Sequence, residues 1–169
     1  MSAAVRRAVL VLAIALASVA ADQASKAVLR PLLEGRPVIR LLGDFCRIGY
    51  VQNPGATLSL GAGMSPEVRR ILFVGAASLG LIGALLFALS TRQSDTRTAV
   101  ALALIGGGGF GNIVDRVVNN GLVHDFMSLG FGKIRTGVFN LADVLLVAGL
   151  VLMVWETWLR RKPQADAST

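Results

Sequence analysis

Of the ten acidic residues in this chain, Asp22, Asp115, Asp125 and Asp143 stand at or near the ends of long apolar stretches. An ionised carboxylate inside hydrocarbon costs roughly 2.5–3.5 kcal/mol even on lenient insertion scales, so an acid at that depth marks function by default. Two carboxylates that share a site cannot both ionise cheaply; one holds a proton and the other does not. Such a pair can activate a water molecule and protonate a leaving amine. It needs no serine, cysteine, histidine or metal, which suits this chain. Cys46 is the single cysteine and His124 the single histidine. An internal disulfide and a thiolate cluster are therefore excluded. A histidine-based zinc site lacks ligands.

The elements that must position these acids are membrane spans. The chain has 169 residues, 54% hydrophobic and 16% charged, with a mean hydropathy of +0.65. A soluble domain is about a quarter charged. Four spans are expected at about 5–22, 69–90, 97–117 and 137–158, each near the ~17–25 residues that a bilayer core requires. Their apolar cores, 5–21, 71–89, 98–114 and 137–155, carry no acid except Asp143. Arg6, Arg7 and Ser18-Val19-Ala20 also have the form of a cleavable signal peptide. Because Asp22 and Lys26 read as working residues, the first span is expected to stay. Residues 1–162 are expected to form one integral membrane domain, with a polar, disordered tail at 163–169.

Orientation follows from the basic residues. Arg6, Arg7, Arg92, Arg97, Arg160, Arg161 and Lys162 flank one side of the spans, which places both termini in the cytoplasm. The other ten lysines and arginines fall on the far side, so the support comes from short loops and not from the raw count. A net charge of +7 suggests contact with anionic lipid. The basic residues are scattered among spans and gather on no nucleic-acid face.

Smaller patterns mark where the acids converge. Asp22 and Lys26 are four apart and can pair, as a snorkelling interfacial pair or as part of a site. Pro31 and Gly35-Arg36-Pro37 are expected to end the first helix. Residues 45–51 have strand-like composition, and Asn53-Pro54-Gly55 is a turn signal. That segment is expected to form a small β-rich element on the outer membrane surface. Pro66 opens the second span, with Glu67 in its first turn. Gly75, Gly80 and Gly83 there, and Gly106 to Gly109 with Gly111 in the third, suit close helix packing. No Lys-Ser/Thr follows the glycine run, so a phosphate loop is a poor reading. Asn112, Asp115 and Arg116 fall at i, i+3 and i+4 as one polar stripe. Asn119-Asn120-Gly121 makes a turn. Gly130, Gly132 and Gly137 suggest a mobile loop. Asn140 and Asp143 share a helix face, with Asp143 ~9 Å in from Gly137. Taken alone, Asp125 could still be a hydrated loop acid, and Asp143 a packing partner of Arg116.

Taken together, five segments resemble the lipoprotein signal peptidase (signal peptidase II) family. They are Asp22-Gln23-Ala24-Ser25-Lys26, Asn53-Pro54-Gly55-Ala56, Gly111-Asn112-Ile113-Val114-Asp115-Arg116, Val123-His124-Asp125-Phe126 and Phe139-Asn140-Leu141-Ala142-Asp143. The resemblance implies an all-α membrane protein. Four transmembrane helices would carry the β-rich element on the extracytoplasmic side between helices one and two. It implies an intramembrane aspartic endopeptidase of the bacterial inner membrane. Such an enzyme removes the signal peptide of diacylglyceryl-modified prolipoproteins just before the lipidated cysteine. Asp125 and Asp143 would be the catalytic dyad, acting at the outer leaflet. Asn53, Gly55, Asn112, Arg116 and Asn140 would hold substrate backbone and lipid. Asp22 and Lys26 would brace the outer ends of the helices, and Asp115 would support structure beside Arg116. The implied partners are prolipoprotein and phospholipid, with no cofactor and a monomeric state. Two positions depart from the family pattern: Leu58 stands where an aromatic residue is usual, and His124 beside the dyad where an apolar one is. The competing readings are a small four-helix transporter, which would place its carboxylates along a pore, and a non-catalytic membrane chaperone.

Overall fold

A computed structural model of the chain describes residues 1–55, 63–65, 67–68, 71–90 and 96–161. Ala56, Leu58, Pro66, Arg92, Lys162 and the tail 163–169 lie outside the described residues. Helix α1 (Ala3–Leu33) is capped at its start by Ser2. Its 31 residues span about 46 Å, more than the ~30 Å of a bilayer core. The helix runs through Pro31, contrary to the expected break. Proline removes one amide donor, yet the next turn still closes, with the Glu34 N–H donating to the Arg30 carbonyl at 2.9 Å. Termination falls instead to Gly35, whose φ of +73° turns the chain away.

A π-helical turn, Ile71–Ala76, leads into α2 (Ala77–Ser90). Helix α3 (Thr96–Val118) follows, and α4 (Leu141–Arg161) closes the chain. Ala4–Leu33, Thr96–Val118 and Leu141–Leu159 are long and apolar enough to cross a membrane; the apolar run Ile71–Ala84 is shorter. The outward faces of α1 and α4 carry exposed Leu12, Leu16, Val147 and Val151.

Helix α3 is the centre of the bundle, packed against the other three. Its glycines explain how. A β-carbon at Gly107 would stand 2.6 Å from the Ser18 β-carbon and 2.8 Å from the Ala15 carbonyl on α1. One at Gly108 would strike the Ala142 carbonyl on α4, and one at Gly109 would press on Leu81 of α2. Successive residues of the run thus serve three neighbours, as 100° per residue dictates.

The β-element differs from expectation. It is one four-stranded antiparallel sheet in the order β1 (Ile39–Leu41), β2 (Cys46–Asn53), β3 (Val123–Phe131) and β4 (Ile134–Arg135). Half of it comes from the segment between α3 and α4, not from the first connection alone. Strand β2 pairs with β3, setting Val51 opposite Asp125 and Asn53 opposite Val123. The glycines read as a mobile loop form a hairpin instead. Gly130 at φ +143° has Ile134 packed where a side chain would go, and Gly132 at φ +54° makes the turn. Phe139 bridges back to Met127, which holds residues 136–140 extended, so α4 starts at Leu141. Asp143 therefore lies in the first helical turn, not two turns in.

Gly108→Val is expected to cost on the order of 3 kcal/mol or more, because the clash is with backbone that cannot yield. Gly75→Ala, which meets nothing within 4 Å, should be near neutral. Melting temperatures of the two variants in detergent check this; equal losses would contradict the packing account.

Candidate active site

Strand alternation decides what β3 presents. Asp125 faces the bundle and is 1% exposed. Its two oxygens accept from Asn53 Nδ2 at 2.9 Å and Asn140 Nδ2 at 2.7 Å. Asp143 is reached from both sides as well. Asn112 Nδ2 donates to its Oδ1 at 2.9 Å, and the Asn140 backbone N–H donates to its Oδ2 at 3.2 Å. In return the Asp143 N–H donates to Asn140 Oδ1 at 3.0 Å. This reciprocal exchange across three residues is a capping box. It locks the start of α4 and the direction of the Asp143 carboxylate together. The Asn140 amide also donates to Asn112 Oδ1 at 2.8 Å. Asn140 thus ties Asp125, Asn112 and Asp143 into one network.

A second layer lies behind it. Lys26 is 2.7 Å from Asp22 and 3.0 Å from Asp115, all three nearly fully buried, and it reaches Asn112 Oδ1 at 3.3 Å. The expected Asp22–Lys26 pair therefore forms, and inside the protein. Asp22 also accepts from the Ala142 N–H at 3.0 Å, an anion at the amino end of α4 where the helix dipole favours it. Asp115 turns away from Arg116. It accepts from the His124 N–H at 3.0 Å and from Gln23 at 3.1 Å. Arg116 points the other way, donating to the Gly55 carbonyl at 2.9 Å and lying 5.1 Å from the Phe73 ring centroid. The single polar stripe is really two faces divided by Asn112. Arg116 donates to the Gly55 and Asn112 carbonyls, and Asp143 is held by asparagines.

All ten residues singled out from the sequence meet at one end of the bundle, beneath the sheet. Sequence reasoning gave no role to Gln23, which donates to Asp22, Gly111 and Asp115, nor to Phe73. Gln23 is adjacent to Asp22 in the Asp22–Lys26 segment; nothing in the sequence marks Phe73.

A cavity of about 310 Å³ opens here, lined by Asn53, Gly55, Phe73, Asn112, Arg116, Asp125 and Asp143 among others. A second, apolar one of about 420 Å³, lined by Leu129, Phe139, Val144 and Val147, meets it at Asp143. Burial pushes the Asp125 carboxyl up to about 6, against the hydrogen bonds of Asn53 and Asn140 and reinforced by the charge of Asp143. The His124 ring lies on the other face of β3, 5.4 Å from Tyr50, and its Nε2 has no hydrogen-bond partner among the described residues. Burial lowers its pKa.

The fold and site define a membrane protein with a pair of carboxylates, Asp125 buried and Asp143 half-buried, held by amides. A profile described as signal peptidase (SPase) II matches residues 14–159. A lipoprotein signal peptidase of Desulforapulum autotrophicum is 32% identical over 145 residues, covering 86% of this chain and 89% of its own. That of Moorella thermoacetica is 33% identical, covering 88% and 92%. The chain belongs to the signal peptidase II family. A bacterial membrane enzyme solved by the in meso method shares the fold, with a TM-score of 0.76 at 24% identity over 95% of this chain and 93% of that one.

Asp125 binds its proton more tightly in the fold than in the unfolded chain, so stability falls as pH rises from about 4 to about 6 and then levels off. A shift from 3.8 to about 6 amounts to about 3 kcal/mol. Asp125→Asn should therefore gain melting temperature relative to the parent across that range. A difference independent of pH would contradict the buried placement.

Proposed function

We propose that this chain is an aspartic endopeptidase that removes signal peptides from diacylglyceryl-modified prolipoproteins, cutting just before the lipidated cysteine. Family membership supports the substrate class. The observation that carries the chemistry is the convergence of Asp125 and Asp143 on one cavity, joined through Asn140. The pair holds one proton. The ionised carboxylate takes a proton from water, and the hydroxyl attacks the scissile carbonyl. The protonated carboxyl polarises that carbonyl and then gives its proton to the leaving amine. The pair shares one proton, so the base is the pair's and not one residue's.

Asn53, Gly55, Asn112 and Arg116 line the cavity and are proposed to orient the substrate backbone and the lipidated cysteine. Lys26, Asp22 and Asp115 hold the ends of α1, α3 and α4 together beneath it. Residues 1–162 form one domain with four spans, both termini are cytoplasmic, and the sheet covers the site at the outer leaflet of the inner membrane. The gathering of the buried acids at the sheet end of the bundle supports this placement, and it also weighs against a transporter with carboxylates spread along a pore. The enzyme acts as a monomer beside phospholipid and needs no cofactor.

Purified parent protein in detergent is expected to cleave a diacylglyceryl-modified prolipoprotein. Asp125→Asn and Asp143→Asn should each lower kcat by about 100-fold or more, the usual worth of acid–base catalysis. Folded variants that keep parental rates would overturn the dyad; an inactive but folded parent would favour the transporter or chaperone.

A further inference from the structure

The far rim of the sheet is apolar where a soluble edge would be polar. Leu42, at the β1–β2 turn, is 78% exposed; Phe131 and Ile134, flanking the β3–β4 turn, are 70% and 87% exposed. Leu42 is also held at φ +54°, a backbone region that a bulky side chain rarely occupies. The two turns are fastened into one rim. The Gly130 N–H donates to the Phe45 carbonyl at 2.9 Å, and Arg135 donates to the carbonyls of Asp44 and Phe45 at 2.8 and 3.1 Å. The Phe45 and Phe131 rings lie 4.9 Å apart. A rigid edge thus presents three large apolar side chains outward.

Two further observations name what covers it. The end of α1, a helix apolar enough to face lipid, exposes Val28 and Leu32, and Val38 and Ile39 at the start of the sheet are exposed as well. The charge beside it is basic on balance: Asp44 is held by the Arg47 guanidinium at 2.6 and 2.8 Å and also lies 3.7 Å from Arg40, which remains 68% exposed, and Lys133 is exposed. Apolar tips flanked by cations match the interface of an anionic bilayer, with acyl chain beneath and phosphate above.

We infer that Leu42, Phe131 and Ile134 form a wedge that enters the headgroup layer of the membrane, with Arg40 and Lys133 on lipid phosphates. The inference rests on the proposed placement of the sheet at the outer face. From Asp125 to Phe131 is six strand residues, or about 20 Å. The sheet is therefore a strut between the bundle and the lipid surface, and the wedge sets the height at which the dyad meets a substrate held in that surface.

The test uses full-length protein in vesicles of phosphatidylethanolamine and phosphatidylglycerol. A nitroxide on Ile134→Cys, in a Cys46→Ser background, should be relaxed by oxygen more than by a water-soluble nickel chelate. Leu42→Ser/Phe131→Ser/Ile134→Ser should lose about tenfold in kcat/KM in those vesicles, the worth of one buried apolar anchor, and nothing in detergent. Pure phosphatidylcholine vesicles should weaken the oxygen effect. A label that meets the nickel chelate first overturns the wedge, as does a triple variant equally impaired in detergent. In whole cells, Gln52→Cys reports the placement separately. Labelling by an impermeant thiol reagent from outside keeps that placement; protection until the cells are opened overturns the placement and the wedge with it.

Discussion

Everything at this site depends on how buried carboxylates are satisfied. Asp22, Asp115 and Asp125 are each at most 2% exposed, and a buried carboxylate without partners is not tolerated. The fold answers with one cation and four side-chain amides, among them Asn53 on Asp125 and Gln23 on Asp22 and Asp115. Lys26 stands between Asp22 and Asp115, and Asn112 and Asn140 divide their donors between Asp125 and Asp143. Removing Lys26 would leave two buried anions facing each other. Removing the Asn140 side chain would free both the Asp125 carboxylate and the amino-terminal cap of α4. The dyad geometry and the helix start are a single arrangement.

That arrangement requires backbones closer together than ordinary side chains allow. Asp22 reaches the Ala142 N–H only because Gly111 leaves room: a β-carbon there would stand 2.6 Å from the Asp22 carboxylate. The glycine run of α3 is therefore part of the site's construction, although it touches no substrate in the proposed chemistry. Polar residues at one end and bare backbone along the helix serve the same end.

Much of this was legible in the sequence, for identifiable reasons. The i,i+4 pair Asp22–Lys26 and the i,i+3 pair Asn140–Asp143 are local, and local spacing fixes which residues can meet. The glycine run pointed to close packing because nothing else tolerates it inside a span. What escaped was non-local. Strands β2 and β3 pair across 70 residues of chain, so half of the sheet was read as loop. The bridge from Phe139 to Met127 that delays α4 to Leu141 belongs to the same pairing. Asp115 and Arg116 are adjacent in sequence but serve different neighbours, which depends on where α1 and the Asn53 turn lie. Pro31 misled because a proline in the last turn forfeits little of the helix.

The central claim is that Asp125 and Asp143 form one acid–base unit that gains a shared proton as pH falls through about 6. Infrared difference spectra of membrane-reconstituted protein with isotope-labelled aspartate test it most directly. Between about pH 8 and about pH 4, a protonated carboxyl band is expected to rise with a midpoint of about 6 and to vanish in Asp125→Asn. A band that survives in Asp125→Asn, or one that rises only near the ordinary 3.8, would contradict the account.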